Sequence, residues 1–183
     1  TGGTSYFSPK ESASPEGVTV HEFGHQFWYG LVGNNEFEEA WLDEGFNTYS
    51  TDKVINTGWE PFKASRMFFG GPGAGSFVGI PLVFRDGKYG RMTGNNTALR
   101  YVGKNDVMVR KGWEYYNSYG LNAYTKPGLS LYTLERFLGE DLMYRVMRTY
   151  HHRYRFKHPM SKDFINTVNE VTGKDMTWFF EQT

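Results

Sequence analysis

Apolar residues recur at helical spacing through the last third of the chain. Leucines three and four residues apart predict a helix that ends at Gly139, and Glu140 and Asp141 favour a new start because negative charge stabilises a helix amino end. A further helix is predicted to end at Gly173. The buried faces expected for these three helices are Leu131, Leu134 and Leu138; Met143, Val146, Met147 and Tyr150; and Phe164, Val168 and Val171. Residues 125–183 are therefore predicted to be helical.

Helices are also predicted from residue 17 to about residue 69. Gly33, Asn34 and Asn35 tolerate the positive φ angles that end helices, so the chain is expected to reverse there. The stripe expected to face inward after this reversal is Phe37, Ala40, Trp41, Glu44 and Thr48. The residues at helical spacing after Pro61, which predict a third helix, are Phe62, Ser65, Arg66 and Phe69.

Residues 70–123 interrupt the helical pattern. They are rich in glycine and have little steady periodicity, which favours loops or short strands. The letters RDGKYG predict a turn, and residues 80–84 predict an extended segment. The chain is therefore expected to be mainly α-helical, with a glycine-rich loop or short-strand insertion.

Composition and charge narrow the possible functions. The chain has 183 residues, enough for one domain that buries about 70% of its unfolded surface. Its 20 Lys and Arg balance its 20 Asp and Glu without a long basic run, so neither nucleic acid nor an anionic membrane is expected as a partner. No apolar run reaches the roughly 18 residues of a membrane-spanning helix. Cysteine is absent, which excludes disulfides and thiolate ligands but suits both reducing and oxidising compartments.

The letters HEFGH, residues 21–25, place two histidines four residues apart. On an α-helix this spacing puts side chains on one face, about 5–6 Å apart, so both imidazoles can direct a nitrogen at one zinc ion about 2.0–2.1 Å away. Glu22 falls beside the pair, where it is better placed to take a proton from a water molecule than to bind the metal. His21 and His25 are therefore candidate zinc ligands, and Glu22 is the candidate general base.

A catalytic zinc needs a third protein ligand and one position open to water or substrate. Glu44 is the candidate, because the 18 residues between it and His25 suffice to finish one helix, cross a loop and return along a second. A random shuffle of this composition gives the His-Glu-x-x-His spacing in roughly 1% of cases, and the later glutamate makes the match about tenfold rarer. The combination indicates one zinc ion per chain. The alternative is a pair of core histidines on a helix that happens to carry glutamates.

These residues and their surroundings resemble the gluzincin signature of the M1 aminopeptidases. The neighbouring residues that also fit the family pattern are Gln26, Leu31, Val32, Trp41, Leu42, Gly45 and Phe46. Residues 27–30 depart from it, and Asp43 stands where asparagine is usual, departures expected to affect packing more than chemistry. The resemblance implies a thermolysin-like zincin catalytic domain, with zinc bound by His21, His25 and Glu44.

The letters YTKPG resemble the Tyr-x-Lys-Gly segment of the same family. The resemblance implies that the hydroxyl of Tyr124 donates a hydrogen bond to the oxygen that becomes negatively charged during hydrolysis. Tyr115, Tyr116 and Tyr119 are alternatives for this role.

One family segment has no match in this chain. M1 exopeptidases bind the free amino group of the substrate with a glutamate in a Gly-x-Met-Glu-Asn-like segment, and the opening letters TGGTSYF resemble what would follow it. Residues 1–183 are therefore expected to be a fragment, a single catalytic domain without its upstream sheet and amine-binding segment. The remaining domains of the parent protein are its expected partners.

The combined expectation is zinc-dependent hydrolysis of a peptide substrate, most simply by an aminopeptidase. One rival is an M1-like scaffold that binds zinc without turnover. Glu22 argues against that rival, because a structural zinc prefers four protein ligands and needs no base. A second rival is an endopeptidase or an epoxide hydrolase that uses the same site, and the sequence does not separate it from an aminopeptidase.

Overall fold

The computed structural model describes residues 14–58, 106–116 and 119–182. The α-helices in these ranges are α1, Ser14–Gly24; α2, Glu36–Glu39; α3, Phe46–Gly58; α4, Lys126–Leu138; α5, Glu140–Tyr154; α6, Ser161–Thr172; and α7, Thr177–Glu181. The remaining helical segments are two π-helical turns, Trp41–Gly45 before α3 and Gly120–Thr125 before α4, and a 3₁₀ turn, Gly112–Glu114.

The predicted fold class, mainly α, is confirmed. Among the described residues there is no β-strand, and a single isolated bridge joins Trp28 and Val32. No helix in these ranges combines the length and apolar character needed to cross a bilayer. The helix expected after Pro61, the turn at RDGKYG and the extended segment at residues 80–84 lie outside the described residues.

Helices α4, α5 and α6 bury most of the faces that their apolar periodicity predicted, and Leu138 and Val171 are partly buried. The fully or nearly fully buried residues of these faces are Leu131, Leu134, Met143, Val146, Met147, Tyr150, Phe164 and Val168. Gly139 separates α4 from α5 with φ 88°, and Gly173 ends α6 with φ 67°. Glycine adopts these positive angles without the steric penalty of a Cβ atom, so both predicted helix ends are confirmed.

Aromatic rings fill the centre of the core. Phe46, the first residue of α3, is completely buried, and its ring centroid lies 4.7 Å from that of Phe164 and 5.4 Å from that of Tyr150. Trp28 packs edge-on against the same ring at 5.2 Å. Such aromatic pairs contribute about 0.5–1.5 kcal/mol beyond their buried area. Phe46 therefore ties the start of α3 to α5, α6 and the segment after α1.

Two buried polar contacts fix α2 and the π-helical turn after it against the start of α6. Glu39 Oε2 accepts a hydrogen bond from the backbone N–H of Ser161 at 2.6 Å. Trp41 Nε1 donates to the Ser161 hydroxyl at 2.8 Å. The first N–H groups of a helix lack intrahelical partners, so a carboxylate at this place supplies a charge-assisted acceptor.

The inward stripe predicted for residues 37–48 is only partly correct. Ala40 and Trp41 are buried, but Phe37 is 64% exposed. The prediction assumed one regular helix, whereas α2 ends at Glu39 and a wider π-helical turn follows it. Positions four apart on the two sides of this change no longer share a face, which turns Phe37 to solvent.

The π-helical turn at Trp41–Gly45 packs tightly against the start of α4. A Cβ atom placed on Gly45 would lie 2.6 Å from Cβ and 2.7 Å from Cγ of Pro127. A side chain at this position therefore cannot be accommodated unless α4 moves away. Gly45 lets the turn that carries Glu44 sit close to the segment that carries Tyr124.

We expect Gly45→Ala to lower the free energy of unfolding by about 1–3 kcal/mol, the usual range for overpacking a close contact. Gly58→Ala is the matched control, because nothing lies within 4 Å of a Cβ atom placed there at the end of α3. Chemical denaturation of both variants beside the parent protein measures the difference. A Gly45→Ala protein as stable as the Gly58→Ala protein would contradict the close packing.

Candidate metal site

His21 lies in the last turn of α1, and His25 follows directly after the helix ends at Gly24. The backbone N–H of His25 still donates to the carbonyl of His21 at 3.3 Å, so the helical spacing of the two side chains continues past the end of α1. Their rings meet edge to face, with centroids 4.8 Å apart. Both imidazoles therefore face the same point, as the HEFGH spacing predicted.

Helix α3 holds the end of α1 in place through Asn47. The Asn47 side-chain amide donates to the carbonyl oxygen of His21 at 2.6 Å, and Asn47 is completely buried. Gly24 makes this approach possible, because a Cβ atom there would lie 1.9 Å from Asn47 Oδ1. Gly24, the glycine inside HEFGH, is thus needed for the close contact between α1 and Asn47.

Glu44, in the π-helical turn before α3, brings its carboxylate to the two imidazoles. Its Oε2 atom lies 3.1 Å from His21 Nε2 and 3.4 Å from His25 Nε2. Each of the three residues offers one ligand atom, and these atoms all lie within 4.8 Å of one another. The three side chains are 13–20% exposed, so solvent can reach the point between them.

The donor set fits a zinc ion. Ligand atoms about 2.1 Å from a tetrahedral zinc lie roughly 3.4 Å from one another, which is close to the two distances from Glu44. Within the described residues the cluster has three members, and the chain has no cysteine to close it. Two imidazoles, one carboxylate and a remaining open position are typical of catalytic rather than structural zinc.

Asp43 is a functional candidate that the sequence prediction missed. It is 2% exposed, and its Oδ1 atom lies 2.7 Å from Nδ1 of His25. Asp43 thus contacts a candidate ligand directly, in addition to its packing. The signal available in the sequence was an acidic residue, in place of an amide, directly beside the candidate ligand Glu44.

Burial and neighbouring charges shift the pKa values around the cluster. Burial opposes ionisation of Glu44, but hydrogen bonds from His21 and Tyr124 outweigh it and hold the pKa of Glu44 below its ordinary value. Burial raises the pKa of Asp43 to about 7, although the nearby His25 works in the opposite direction. Burial alone would lower the pKa of His25, but the two carboxylates raise it overall. Two carboxylates facing two imidazoles favour a cation at this point.

Tyr124, in the π-helical turn before α4, lies against the cluster. Its hydroxyl donates a hydrogen bond to Oε1 of Glu44, and its ring stacks on that of His21 with centroids 5.7 Å apart. Burial, together with the adjacent Glu44, raises the pKa of Tyr124 well above its usual range. The hydroxyl therefore keeps its proton and acts as a hydrogen-bond donor.

Within the described residues, the other three tyrosines considered as hydrogen-bond donors make no hydrogen bond to the candidate metal ligands. Tyr115 donates its hydroxyl proton to the carbonyl of Met108 at 2.6 Å, and Tyr116 is 89% exposed. Tyr119 packs on the ring of Tyr124 at 6.0 Å. Among the tyrosines in the described ranges, Tyr124 is the one whose hydroxyl hydrogen-bonds Glu44.

Glu22 is exposed on α1, one residue after His21. A separate apolar groove of about 700 Å³ lies between α1, α3 and α5, with Phe23 and Phe27 among its lining residues. None of the candidate metal, base or hydrogen-bonding residues lines that groove. The candidate site therefore occupies a different face of α1.

Comparison with known proteins decides the family. A family model described as the peptidase family M1 domain matches residues 4–183. The chain belongs to peptidase family M1. The resemblance to this family, carried by HEFGH and by Glu44 with its neighbours, is therefore confirmed.

Individual M1 relatives are distant in sequence and much longer. Aminopeptidase N of Lactococcus lactis subsp. lactis is 19% identical over 167 residues, which cover 90% of this chain and 18% of that protein. Aminopeptidase 2 of Candida albicans is 22% identical over 159 residues, which cover 87% of this chain and 15% of that protein. This M1 chain thus spans less than a fifth of the length of these relatives.

A solved structure shares the fold. Aminopeptidase A of Legionella pneumophila, solved in complex with aspartic acid, aligns with a TM-score of 0.54 at 18% identity. The alignment covers 90% of this chain and 16% of that chain. At this identity the comparison shows the fold alone.

We expect His25→Ala and Glu44→Ala in the full-length M1 protein to weaken zinc binding by more than about 100-fold. Loss of a residue that only hydrogen-bonds a metal ligand weakens binding by about 10–100-fold, and loss of a ligand itself should cost more. His152→Ala and Glu38→Ala, which change exposed residues, are the matched controls. Competition with a chromophoric chelator measures the zinc dissociation constant of each protein. Parent-like zinc affinity in either ligand variant would remove that residue from the site.

Proposed function

We propose that the protein is a zinc-dependent aminopeptidase and that this chain carries its hydrolytic step, with one zinc ion per chain. The observation that supports this most is the convergence of His21, His25 and Glu44 on one solvent-accessible point. M1 family membership and the names of the relatives support the peptidase activity. We further propose that residues 1–183 belong to a single catalytic domain and that other domains of the full-length protein complete it.

The metal ligands and Glu22 divide the work of hydrolysis. When bound, zinc supplies a Lewis acid that polarises a carbonyl group and lowers the pKa of a water molecule toward neutrality. Glu22 takes a proton from the attacking water and later returns it to the leaving amine. Its exposure and its place one residue after His21 support this role, because the carboxylate must reach solvent and substrate.

Tyr124 is proposed to donate a hydrogen bond to the carbonyl oxygen of the substrate as that oxygen gains negative charge. Its raised pKa keeps the donor proton in place, and its contact with Glu44 fixes the hydroxyl beside the metal ligands. A phenol has one proton to donate, so the hydroxyl must turn this proton from Glu44 to the substrate oxygen, where it stabilises the developing negative charge.

Recognition of the free amino group is proposed from the family and from the relatives' names. No match to the family's amine-binding segment occurs in this chain, so we propose that residues outside it supply that contact in the full-length protein. The substrate is thus proposed to be a peptide with an unblocked amino terminus.

We expect the full-length protein to cleave a peptide with a free amino terminus and to reject its acetylated twin. Glu22→Gln should lower kcat by about 10²–10⁴-fold, the usual contribution of a general base, with zinc content unchanged. Glu16→Gln, earlier on α1, is the matched control. Equal cleavage of the two peptides would exclude an aminopeptidase in favour of an endopeptidase. Zinc content without turnover on either peptide would favour a binding scaffold.

We expect Tyr124→Phe to lower kcat by about 10²–10³-fold, the usual effect of losing one oxyanion donor. With zinc supplied in excess, the zinc content should stay as in the parent protein, because Tyr124 contacts Glu44 but is not itself a candidate ligand. Tyr116→Phe is the matched control, since that ring is 89% exposed. Full activity in Tyr124→Phe would transfer the role to another donor, with Tyr119 the next residue to test.

A further inference from the structure

The contacts of His25 assign a separate task to each of its ring nitrogens. Its Nδ1 atom lies 2.7 Å from Asp43 Oδ1 and 3.2 Å from the carbonyl oxygen of Trp28. A carbonyl oxygen can only accept a hydrogen bond, so Nδ1 carries the proton. In a neutral imidazole the other nitrogen then offers its lone pair, and Nε2 is the atom that faces Glu44 at 3.4 Å.

Asp43 and Glu44 contact the imidazole ring of His25 on opposite sides. They are successive residues of the π-helical turn, yet Asp43 contacts Nδ1 and Glu44 contacts the Nε2 side. The Asp43 side chain is 3% exposed, whereas that of Glu44 is 13% exposed. The buried carboxylate therefore acts from behind the ring, and the more accessible one lies at the metal point.

His21 is held differently. In the part of the chain that the structure describes, its ring contacts a carboxylate through Nε2 and Glu44, with no counterpart of Asp43 behind it. Its backbone carbonyl is fixed by Asn47 instead. Within the described ranges, the carboxylate contact behind a candidate ligand ring is thus found at His25 and not at His21.

We propose that Asp43 is a positioning residue that orients His25 through Nδ1 and strengthens the bond of Nε2 to the metal. This inference rests on the zinc site of the proposed function. A carboxylate accepts a stronger hydrogen bond than an amide and makes the opposite ring nitrogen a better donor to a metal. Aspartate in place of the asparagine usual in M1 sequences therefore raises the affinity of this chain for zinc.

The test compares Asp43→Ala and Asp43→Asn in the full-length protein. Loss of such a partner typically weakens metal binding by about 10–100-fold, and this is the expected effect of Asp43→Ala. Asp43→Asn keeps an oxygen acceptor without the charge, so its loss should be smaller. Asp141→Asn, an exposed change on α5, is the control for net charge. Chelator competition gives the zinc dissociation constants.

A second measurement shows whether the effect passes through His25. In ¹⁵N-histidine-labelled metal-free protein, the Nδ1–H proton of His25 should lie downfield and exchange slowly, because its hydrogen bond to the buried Asp43 side chain is short, at 2.7 Å. In Asp43→Ala this resonance should move upfield and exchange faster with water. If Asp43→Ala does not fold, the same shift and a smaller affinity loss in Asp43→Asn carry the test.

Three results would overturn the inference. They are parent-like zinc affinity in the folded Asp43 variants, an equal loss of affinity in Asp141→Asn, and an unmoved His25 proton resonance despite weaker zinc binding. These results leave the proposed function intact, because the parent protein still binds zinc. A parent protein that binds no zinc overturns the proposed function and this inference together.

Discussion

The carboxylate of Glu44, held between two imidazoles and a phenol, is the interaction on which the rest of the structure depends. One oxygen faces Nε2 of both histidines, and the other accepts the hydroxyl proton of Tyr124. A partly buried carboxylate would be costly without partners, and its lowered pKa indicates that these partners outweigh the burial. The result is an anion fixed beside two nitrogen donors, which suits a divalent cation better than any neutral ligand.

The core and the candidate site are continuous through residues 44–47. Glu44 reaches the imidazoles, Gly45 allows close contact with Pro127, Phe46 is the central ring of the core, and Asn47 fixes the carbonyl of His21. Because these residues are consecutive, a shift of α3 that disturbs the aromatic core also moves the candidate metal ligands. Precise packing around Phe46 is therefore part of how the site keeps its geometry, and stability and metal binding should change together.

The spacing of residues along the sequence predicted the features that depend on contacts within one helix. The buried faces of α4, α5 and α6 follow from apolar spacing and glycine ends, and the convergence of His21 and His25 follows from a four-residue step on a helix. Phe37 was wrongly predicted to face inward, because a search for a 3.6-residue repeat does not detect the π-helical turn that follows α2. Asp43 was missed for a related reason. Its contact with His25 depends on how the π-helical turn orients two neighbouring carboxylates, which sequence spacing alone does not contain.

X-ray absorption at the zinc edge of the purified full-length protein tests the central claim most directly. A first shell of two imidazole nitrogens and one carboxylate oxygen, with one further light atom, at about 2.0–2.2 Å is expected. A shell of six oxygens, or one imidazole in place of two, would contradict the convergence of His21, His25 and Glu44 on a single metal.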